Sequence, residues 1–266
     1  MPGNDRSGVV IQNRDRHLLE ELAIMRVVDR EQARVVAGFG SITRVNTRLL
    51  ALCRAGLLRR FFLGATAGGR KVLYALSTRG AALIGSQARG PRQRNNEVLI
   101  ADLFISHQLA INHIYCALKY EAVPIAGVTF NRWISFSAPL AKELKLIPDG
   151  YLELRTSSGT LAAFLEIDLG HEHLPVWKNK IRNYLQLAIS GECEHRFRQK
   201  QFRVLVVVNS ERRLRSIRKV VQASTQKIFW FATIESVQSH GIFAPIWFRP
   251  EGDERQALLS NMHSLT

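Results

Sequence analysis

The amino-acid sequence predicts an α/β protein, more closely an α+β protein, built from two domains. Residues 12–85 contain three helical periodicities followed by two strand-like runs around a glycine-rich turn. After residue 97, helix-like and strand-like runs alternate. The segment QARGPRQRNN between them is polar and lacks an apolar period, which is typical of a linker. We therefore expect a first domain at 1–86, a basic linker at 87–96, a second domain at 97–250 and a polar tail at 251–266.

The distribution of charge is the most informative feature of the composition. The 266-residue chain has 37 Lys and Arg against 22 Asp and Glu, which gives a formal net charge of +15. Twelve of the basic residues and no acidic residue lie between Gln32 and Asn96. Because protein surfaces usually mix both signs, this interval predicts a polyanionic partner, most simply nucleic acid.

Three helices are predicted in the first domain. Asp15 is placed to cap a helix over residues 16–28, and Asp29 to cap a helix over 30–37. Ser41 or Thr43 can start a third helix that reaches Ala55. This third helix has an apolar face of Val45, Leu49 and Leu52 and an opposite face of Arg44, Thr47, Arg48 and Ala51. Such a division suits a helix that packs on one side and reads a DNA groove on the other.

Two strands with a basic, glycine-rich tip follow the third helix. The runs 57–63 and 71–76 flank the tip and predict a β-hairpin. Three helices and a hairpin in this order resemble a winged helix-turn-helix domain over about residues 12–85. The alternative is a three-helix unit whose basic face is solvated or binds a protein. The resemblance implies DNA contacts from the major-groove residues Arg44, Thr47 and Arg48 and from the backbone or minor-groove residues Arg59, Arg60, Arg70 and Lys71.

Acidic residues mark two neighbouring strands of the second domain. Asp149 lies at the head of the first strand, and the second strand ends in Glu166 and Asp168. Because successive side chains of a strand alternate between faces, Glu166 and Asp168 point to the same side. Two carboxylates on an apolar strand are costly to bury without compensating partners. We therefore expect a site or a paired polar network here.

The second domain resembles the PD-(D/E)XK phosphodiesterase core in its order of helix, three strands, helix, strand and helix. Together with a preceding winged helix, the motifs 148–150 (PDG) and 164–168 (FLEID) are similar to those of bacterial plasmid replication-relaxation proteins. The nuclease resemblance implies that Asp149 and Glu166, with Asp168 as a third acid, hold a divalent cation such as Mg2+. Carboxylates are the ligands that this hard cation prefers.

One position departs from the nuclease pattern. Asp168 stands two residues after Glu166, where the nuclease core carries a lysine. Lys178 or Lys180 on the following helix would then have to supply the catalytic ammonium. The alternative is a site that has lost its catalytic function, in which Glu166 and Asp168 pair with Arg or Lys from the next helix.

Several function classes are excluded by motif. The sequence contains no phosphate-binding P-loop, no dinucleotide fingerprint and no nucleophile elbow, and its three cysteines form no CxxC pair. We expect no signal peptide, no membrane span and a cytoplasmic location. The expected function is a double-stranded DNA-binding protein of a bacterial mobile element, acting in plasmid replication, DNA processing or transcriptional control, with a homodimer as a candidate assembly. The rival functions are a Mg2+-dependent DNA endonuclease and a protein-binding adaptor.

Overall fold

The computed structural model describes residues 9–64, 70–91, 98–99, 103–121, 123, 126–141 and 144–259. The chain divides into two compact units, Met1–Cys116 and Ala117–Thr266. The division differs from the predicted linker at 87–96, of which residues 92–96 lie outside the described part of the chain. The elements of the first unit explain the difference.

The first unit contains helices and a small four-stranded sheet. Its helices are α1 (Asn13–Met25), α2 (Arg30–Val36), α3 (Ile42–Arg54), α4 (Thr78–Leu83) and α5 (Leu103–Tyr120), the last of which runs past the division of the units. Its strands are β1 (Val28–Asp29), β2 (Leu58–Gly64), β3 (Arg70–Leu76) and β4 (Val98–Leu99), in the sheet order β1-β3-β2-β4. β2 and β3 form the antiparallel hairpin that the sequence predicts, and its tip at 65–69 lies outside the described residues. The order of helices and hairpin fits a winged helix-turn-helix.

The caps of the first three helices agree with the sequence in two cases. The side chain of Asp29 accepts a hydrogen bond from the Gln32 backbone N–H at 2.9 Å, and Ser41 accepts one from Arg44 N–H at 3.3 Å. The prediction that Asp15 caps the first helix is wrong, because α1 begins at Asn13 with Gln12 as its cap. Asp15 instead occupies the third helical position, where its carboxylate accepts from the Gln12 N–H at 2.7 Å. The same carboxylate also accepts a hydrogen bond from Arg48.

α5 is tied to the first unit by apolar packing and by buried hydrogen bonds. Ile105 and Leu109 join a buried cluster with Val27, Phe61, Leu73 and Ala75. The buried Asn112 side chain donates to Val27 O at 2.6 Å, and Gln32 donates to Leu109 O at 2.9 Å. These contacts explain why the first unit extends to Cys116 rather than ending before residue 87.

The second unit is built on a seven-stranded mixed sheet. The strands are β5 (Thr129–Ile134), β6 (Gly150–Thr156), β7 (Gly159–Asp168), β8 (Arg203–Val208), β9 (Phe229–Thr233), β10 (Trp247–Phe248) and β11 (Arg255–Gln256). They lie in the order β11-β10-β9-β8-β7-β6-β5, with β7, β8 and β9 parallel and the other neighbouring pairs antiparallel. The helices are α6 (Leu174–Ile189), α7 (Glu192–Phe197), α8 (Glu211–Gln222) and α9 (Ile234–His240). The α/β class with a mixed sheet is therefore confirmed.

Part of the predicted polar tail is ordered in this sheet. β11 pairs with β10, and Leu258 and Leu259 are buried. The sequence suggested a loose tail because charged residues dominate 251–255, but the two leucines supply apolar side chains that the unit buries. Residues 260–266 lie outside the described part.

One face of the sheet carries both the main core and the acidic residues. Phe164 on β7 packs with Tyr184 of α6, Ile217 of α8 and Phe229 of β9 in a single buried cluster. Glu166 and Asp168 follow Phe164 at intervals of two, so they share this face and lie under α6 and α8. Gly150 leaves space for a neighbouring ring, since a Cβ there would lie 2.5 Å from the Trp133 indole.

Candidate functional site

The outward side of α3 keeps two of its three predicted groove-facing residues. Arg44 and Thr47 are exposed, while Val45, Leu49 and Leu52 on the opposite side are buried. The helix therefore presents a polar face to solvent, as the sequence pattern indicates.

Arg48 has a different environment. Its guanidinium donates to both carboxylate oxygens of the buried Asp15, with Nε at 2.8 Å from Oδ1, and to Val10 O at 2.6 Å. The hydrogen bond with Asp15 raises the pKa of Arg48 above its ordinary value. Arg48 thus joins α3 to the first turn of α1. This contact uses the guanidinium N–H groups of Arg48 that the sequence predicts to contact the DNA major groove.

The basic residues of the hairpin divide into half-buried and exposed ones. The Arg59 guanidinium lies 5.1 Å from the centre of the Phe61 ring and donates to Leu76 O at 3.2 Å. Arg60 lies 5.2 Å from the Phe62 ring centre. On β3, Arg70 is exposed, and the ammonium of Lys71 lies 2.5 Å from Asp29 Oδ2 with half of its side chain exposed.

A buried polar cluster lies at the carboxyl end of β7 in the second unit. Glu166, which has no exposed surface, accepts from Tyr184 Oη at 2.6 Å and from Lys180 Nζ at 2.8 Å, each on a different carboxylate oxygen. Lys180 also lies 2.8 Å from Glu172 Oε1 and 5.2 Å from the centre of the Trp177 ring. The ammonium is therefore shared between two carboxylates and an indole.

Lys180 is the lysine of α6 that reaches the strand, while Lys178 is exposed. Trp177, Lys180 and Tyr184 follow one another at intervals of three and four, so they share one side of the helix. This spacing was available in the sequence and would have identified Trp177 and Tyr184 as partners of the acidic strand.

Burial and charge act in opposite directions on this cluster. Burial raises the pKa of Glu166, Lys180 opposes that rise, and the nearby Asp149 charge adds to it, so that the pKa lies well above its ordinary value. Burial lowers the pKa of Lys180, but the charges of Glu166 and Glu172 outweigh burial and raise it. Lys180 therefore stays protonated at neutral pH.

Asp149 is brought next to Glu166 by backbone pairing. Its carboxylate accepts from the Ile167 N–H at 2.7 Å, and its own N–H donates to Leu165 O at 3.0 Å. Asp149, Glu166 and Lys180, three of the predicted site residues, thus occupy one neighbourhood.

Asp168 is held by a separate set of donors. Its oxygens accept from Arg213 Nη2 at 2.6 Å, from Trp177 Nε1 at 2.6 Å and from the Gly170 N–H at 2.6 Å. Burial raises the pKa of Asp168, but these hydrogen bonds outweigh it and lower the pKa below its ordinary value. Arg213 comes from α8, and the sequence analysis did not assign it to this site.

A comparison with known protein families identifies the family of this chain. The family model described as replication-relaxation matches residues 19–205. The chain belongs to the replication-relaxation family. The match begins within α1 and includes Asp149, Glu166 and Asp168, but it ends before Arg213. Neither the comparison with curated proteins nor that with solved structures finds a match.

Membership of the replication-relaxation family confirms the resemblance that the sequence motifs indicate. It supports a role in the replication of a plasmid or other mobile element, or in the processing of its DNA. In the described residues, no helix has both the length and the apolar character needed to cross a membrane.

In this replication-relaxation protein, other side chains of the chain contact the carboxylate oxygens that the nuclease resemblance assigns to Mg2+. In the described part of the chain, no group of three or more His, Cys, Asp or Glu side chains is arranged to hold a metal ion. Lys180 and Tyr184 contact the two oxygens of Glu166, and the Arg213 guanidinium contacts both oxygens of Asp168. Protein cations thus lie where a metal ion would have to approach.

Proposed function

We propose that this replication-relaxation protein binds double-stranded DNA in the cytoplasm and acts in plasmid or mobile-element replication, DNA processing or transcriptional control. In this proposal the first unit works as a winged helix-turn-helix domain. Its α3 enters the major groove, and the β2–β3 hairpin contacts the DNA backbone or minor groove.

The exposed polar side of α3 is the observation that carries this proposal. Arg44 and Thr47 are exposed there, and the flanking hairpin adds exposed Arg70 and Lys71. The segment from Gln32 to Asn96 has no acidic residue that would repel phosphate. Arg48 acts in this proposal by fixing α3 against α1 rather than by reading bases.

The second unit is proposed to be a nuclease-like domain that does not cut DNA. The Arg213 fork on Asp168 and the Lys180 contact with Glu166 neutralise the acids from within the protein. A Mg2+-dependent nickase is the second candidate, because Lys180 lies 2.8 Å from Glu166 and the Asp149 charge acts on the same carboxylate. In this candidate function, Lys180 would take the role of the lysine that the nuclease core carries two residues after its glutamate.

Two measurements separate the candidates. Binding of the full chain to duplex DNA should be measured by filter binding at low salt, and cleavage by incubating supercoiled plasmid with Mg2+ or Mn2+. We expect salt-sensitive binding and no nicked product. Nicking by the wild type that disappears in Glu166→Gln, and persists in the exposed control Lys178→Met, would establish the nickase instead.

A homodimer is part of the proposal. Two copies related by a two-fold axis would present two α3 helices to a palindromic site. Sedimentation of the protein with a duplex should then give two chains per site, and one chain per site would contradict the dimer.

A further inference from the structure

A cleft lies in the second unit at the end of the sheet away from Glu166. Its volume is about 980 Å³, and it is lined by the β6–β7 turn, the residues that lead into β8 and β9, and Leu258 and Leu259. Parallel β7, β8 and β9 have their amino ends here, while Glu166 and Asp168 lie towards the carboxyl end of β7. At ~3.3 Å per strand residue, Leu161 and Asp168 are separated by about 23 Å. The cleft is therefore distinct from the acidic cluster.

The charge lining this cleft has one sign. Lys200, Arg203, Lys227 and Arg249 line it, and none of its described lining residues is Asp or Glu. Lys200 approaches Glu194 at 3.7 Å, but that glutamate lies outside the lining, and the Lys200 side chain is 79% exposed. Four cations around an apolar floor create a positive potential that favours an anion.

Two of the cations converge on one indole. The guanidinium carbons of Arg203 and Arg249 lie 4.2 and 4.5 Å from the Trp230 ring centre. Burial lowers the pKa of Arg203 to about 10, and the neighbouring Arg249 charge contributes to the shift. The two like charges therefore raise the positive potential at this end of the cleft, which a bound anion would offset.

The two arginines use some of their donors within the protein, since Arg203 Nη1 donates to Leu258 O and Arg249 Nη2 donates to Gln226 O at 3.1 Å and to Lys227 O. The Nε atom of Arg249 is buried and has no hydrogen-bond partner in the described structure. The β6–β7 turn contributes the hydroxyl groups of Thr156, Ser157, Ser158 and Thr160 to the lining. A buried guanidinium N–H without a partner is costly, and a phosphate oxygen is the acceptor that guanidinium and hydroxyl donors together suit best.

Apolar side chains supply most of the remaining lining. Leu161, Phe202, Ile228 and Leu258 line the cleft beside the basic residues. A volume of about 980 Å³ is at the upper end of the range for small-ligand pockets and exceeds what inorganic phosphate alone needs. The ligand should therefore join phosphate groups to an apolar or aromatic part.

We propose that this cleft binds a phosphate-bearing ligand of nucleotide size, with its phosphates on Arg203, Lys227 and Arg249 and its base against the apolar lining. The nucleotide can be free or can be part of a single strand, since both present the same chemistry. The proposal does not depend on DNA binding by the first unit, because every residue it uses lies in the second.

Calorimetry with the full chain tests the site. The probes are ATP, pyrophosphate, adenosine as the phosphate-free control, and a short single-stranded oligothymidylate, all without divalent metal. We expect ATP to bind more tightly than pyrophosphate, and adenosine to bind weakly or not at all. Lys227→Glu and Lys200→Glu should each weaken ATP binding by roughly tenfold or more, because each reverses a charge that lines the cleft.

Lys219→Glu is the matched control, since it reverses an exposed charge on α8 outside the cleft. Circular dichroism confirms that each variant is folded. No binding of ATP or pyrophosphate to the wild type would overturn the proposal, as would an equal loss in Lys219→Glu or no loss in either lining variant.

Competition between oligothymidylate and ATP would identify a strand as the source of the nucleotide, and ATP binding without competition would identify a free nucleotide. Arg44→Ala should leave ATP binding unchanged even if it abolishes binding to duplex DNA.

Discussion

Replacing Lys180 by methionine removes the ammonium that lies 2.8 Å from the fully buried carboxylate of Glu166 and 2.8 Å from Glu172. Methionine keeps much of the side-chain volume, so the change acts mainly on charge. Removing one partner of a buried ion pair costs about 3–5 kcal/mol when the other partner stays charged. Because Glu166 can take up a proton, the cost should depend on pH.

The sign of that dependence follows from the raised pKa of Glu166. In the folded wild type this pKa is raised to about 7, mainly by burial, whereas in the unfolded chain it is near its ordinary value. A carboxyl group whose pKa is raised by folding contributes stability that is fully present only below its unfolded pKa, and for Glu166 this contribution is lost as pH rises towards 7. Without Lys180 the folded pKa rises further, so the loss continues to higher pH, at about 1.4 kcal/mol per unit of added shift.

The stability difference between Lys180→Met and wild type should therefore widen above neutral pH. We expect about 3 kcal/mol near pH 9 and about 1 kcal/mol near pH 5.5, where Glu166 is protonated in both folded proteins. Urea unfolding at the two pH values measures it. Trp133, Trp177, Trp230 and Trp247 are the four tryptophans of the chain, and all belong to the second unit, so their fluorescence reports that unit alone.

Two controls make the test specific. Lys178→Met changes an exposed lysine of the same helix and should alter stability by less than about 0.5 kcal/mol. Glu166→Gln combined with Lys180→Met should recover most of the loss at high pH, because the buried charge is gone and Tyr184 can still donate to the amide oxygen. An equal loss at both pH values, or a double variant no more stable than Lys180→Met, would refute the reasoning.

Three further substitutions test the other contacts. Asp168→Asn should cost about 2–4 kcal/mol in tryptophan-detected unfolding, since the Arg213 guanidinium loses its charged partner. Because folding lowers the pKa of Asp168, the stability that Asp168 contributes should be complete above its unfolded pKa and lost as pH falls below that value. An Asn variant as stable as wild type near neutral pH would contradict this role. Tyr184→Phe should cost about 1–3 kcal/mol in the same assay, because Glu166 loses a buried donor; a neutral effect would show that this hydrogen bond adds nothing. Arg48→Ala should lower the free energy of unfolding of the tryptophan-free first unit by about 2 kcal/mol, measured by urea unfolding with circular dichroism, since the buried Asp15 loses its cationic partner. Unchanged stability with weakened DNA binding would instead assign Arg48 to the DNA interface.

Local patterns in the sequence were sufficient for much of the fold. The cap at Asp29, the two faces of α3 and the β2–β3 hairpin depend on residues close in the chain, and all three are confirmed. The shared face of Glu166 and Asp168 follows from strand alternation alone. Lys180 could be named because its helix directly follows the strand that carries both acids.

Long-range pairing set the limit of prediction. Arg213 lies 45 positions from Asp168, and nothing in the local pattern of its helix indicates that the two residues meet. Arg48 and Asp15 are 33 positions apart, and nothing in either local pattern shows that they meet. The assignment of α5 to the first unit likewise depends on contacts with Val27 and Gln32, far earlier in the chain.

The salt dependence of duplex DNA binding tests the central claim most directly. Fluorescence anisotropy with labelled duplex should show an affinity that falls linearly in log–log form with salt. Arg70→Ala should weaken binding and reduce the magnitude of the slope by about 0.9 for every phosphate contact removed, and Arg44→Ala should weaken binding through a lost groove contact, while Lys178→Ala leaves affinity and slope unchanged. Binding that is indifferent to salt, or that survives both arginine substitutions unaltered, would contradict DNA recognition by the first unit.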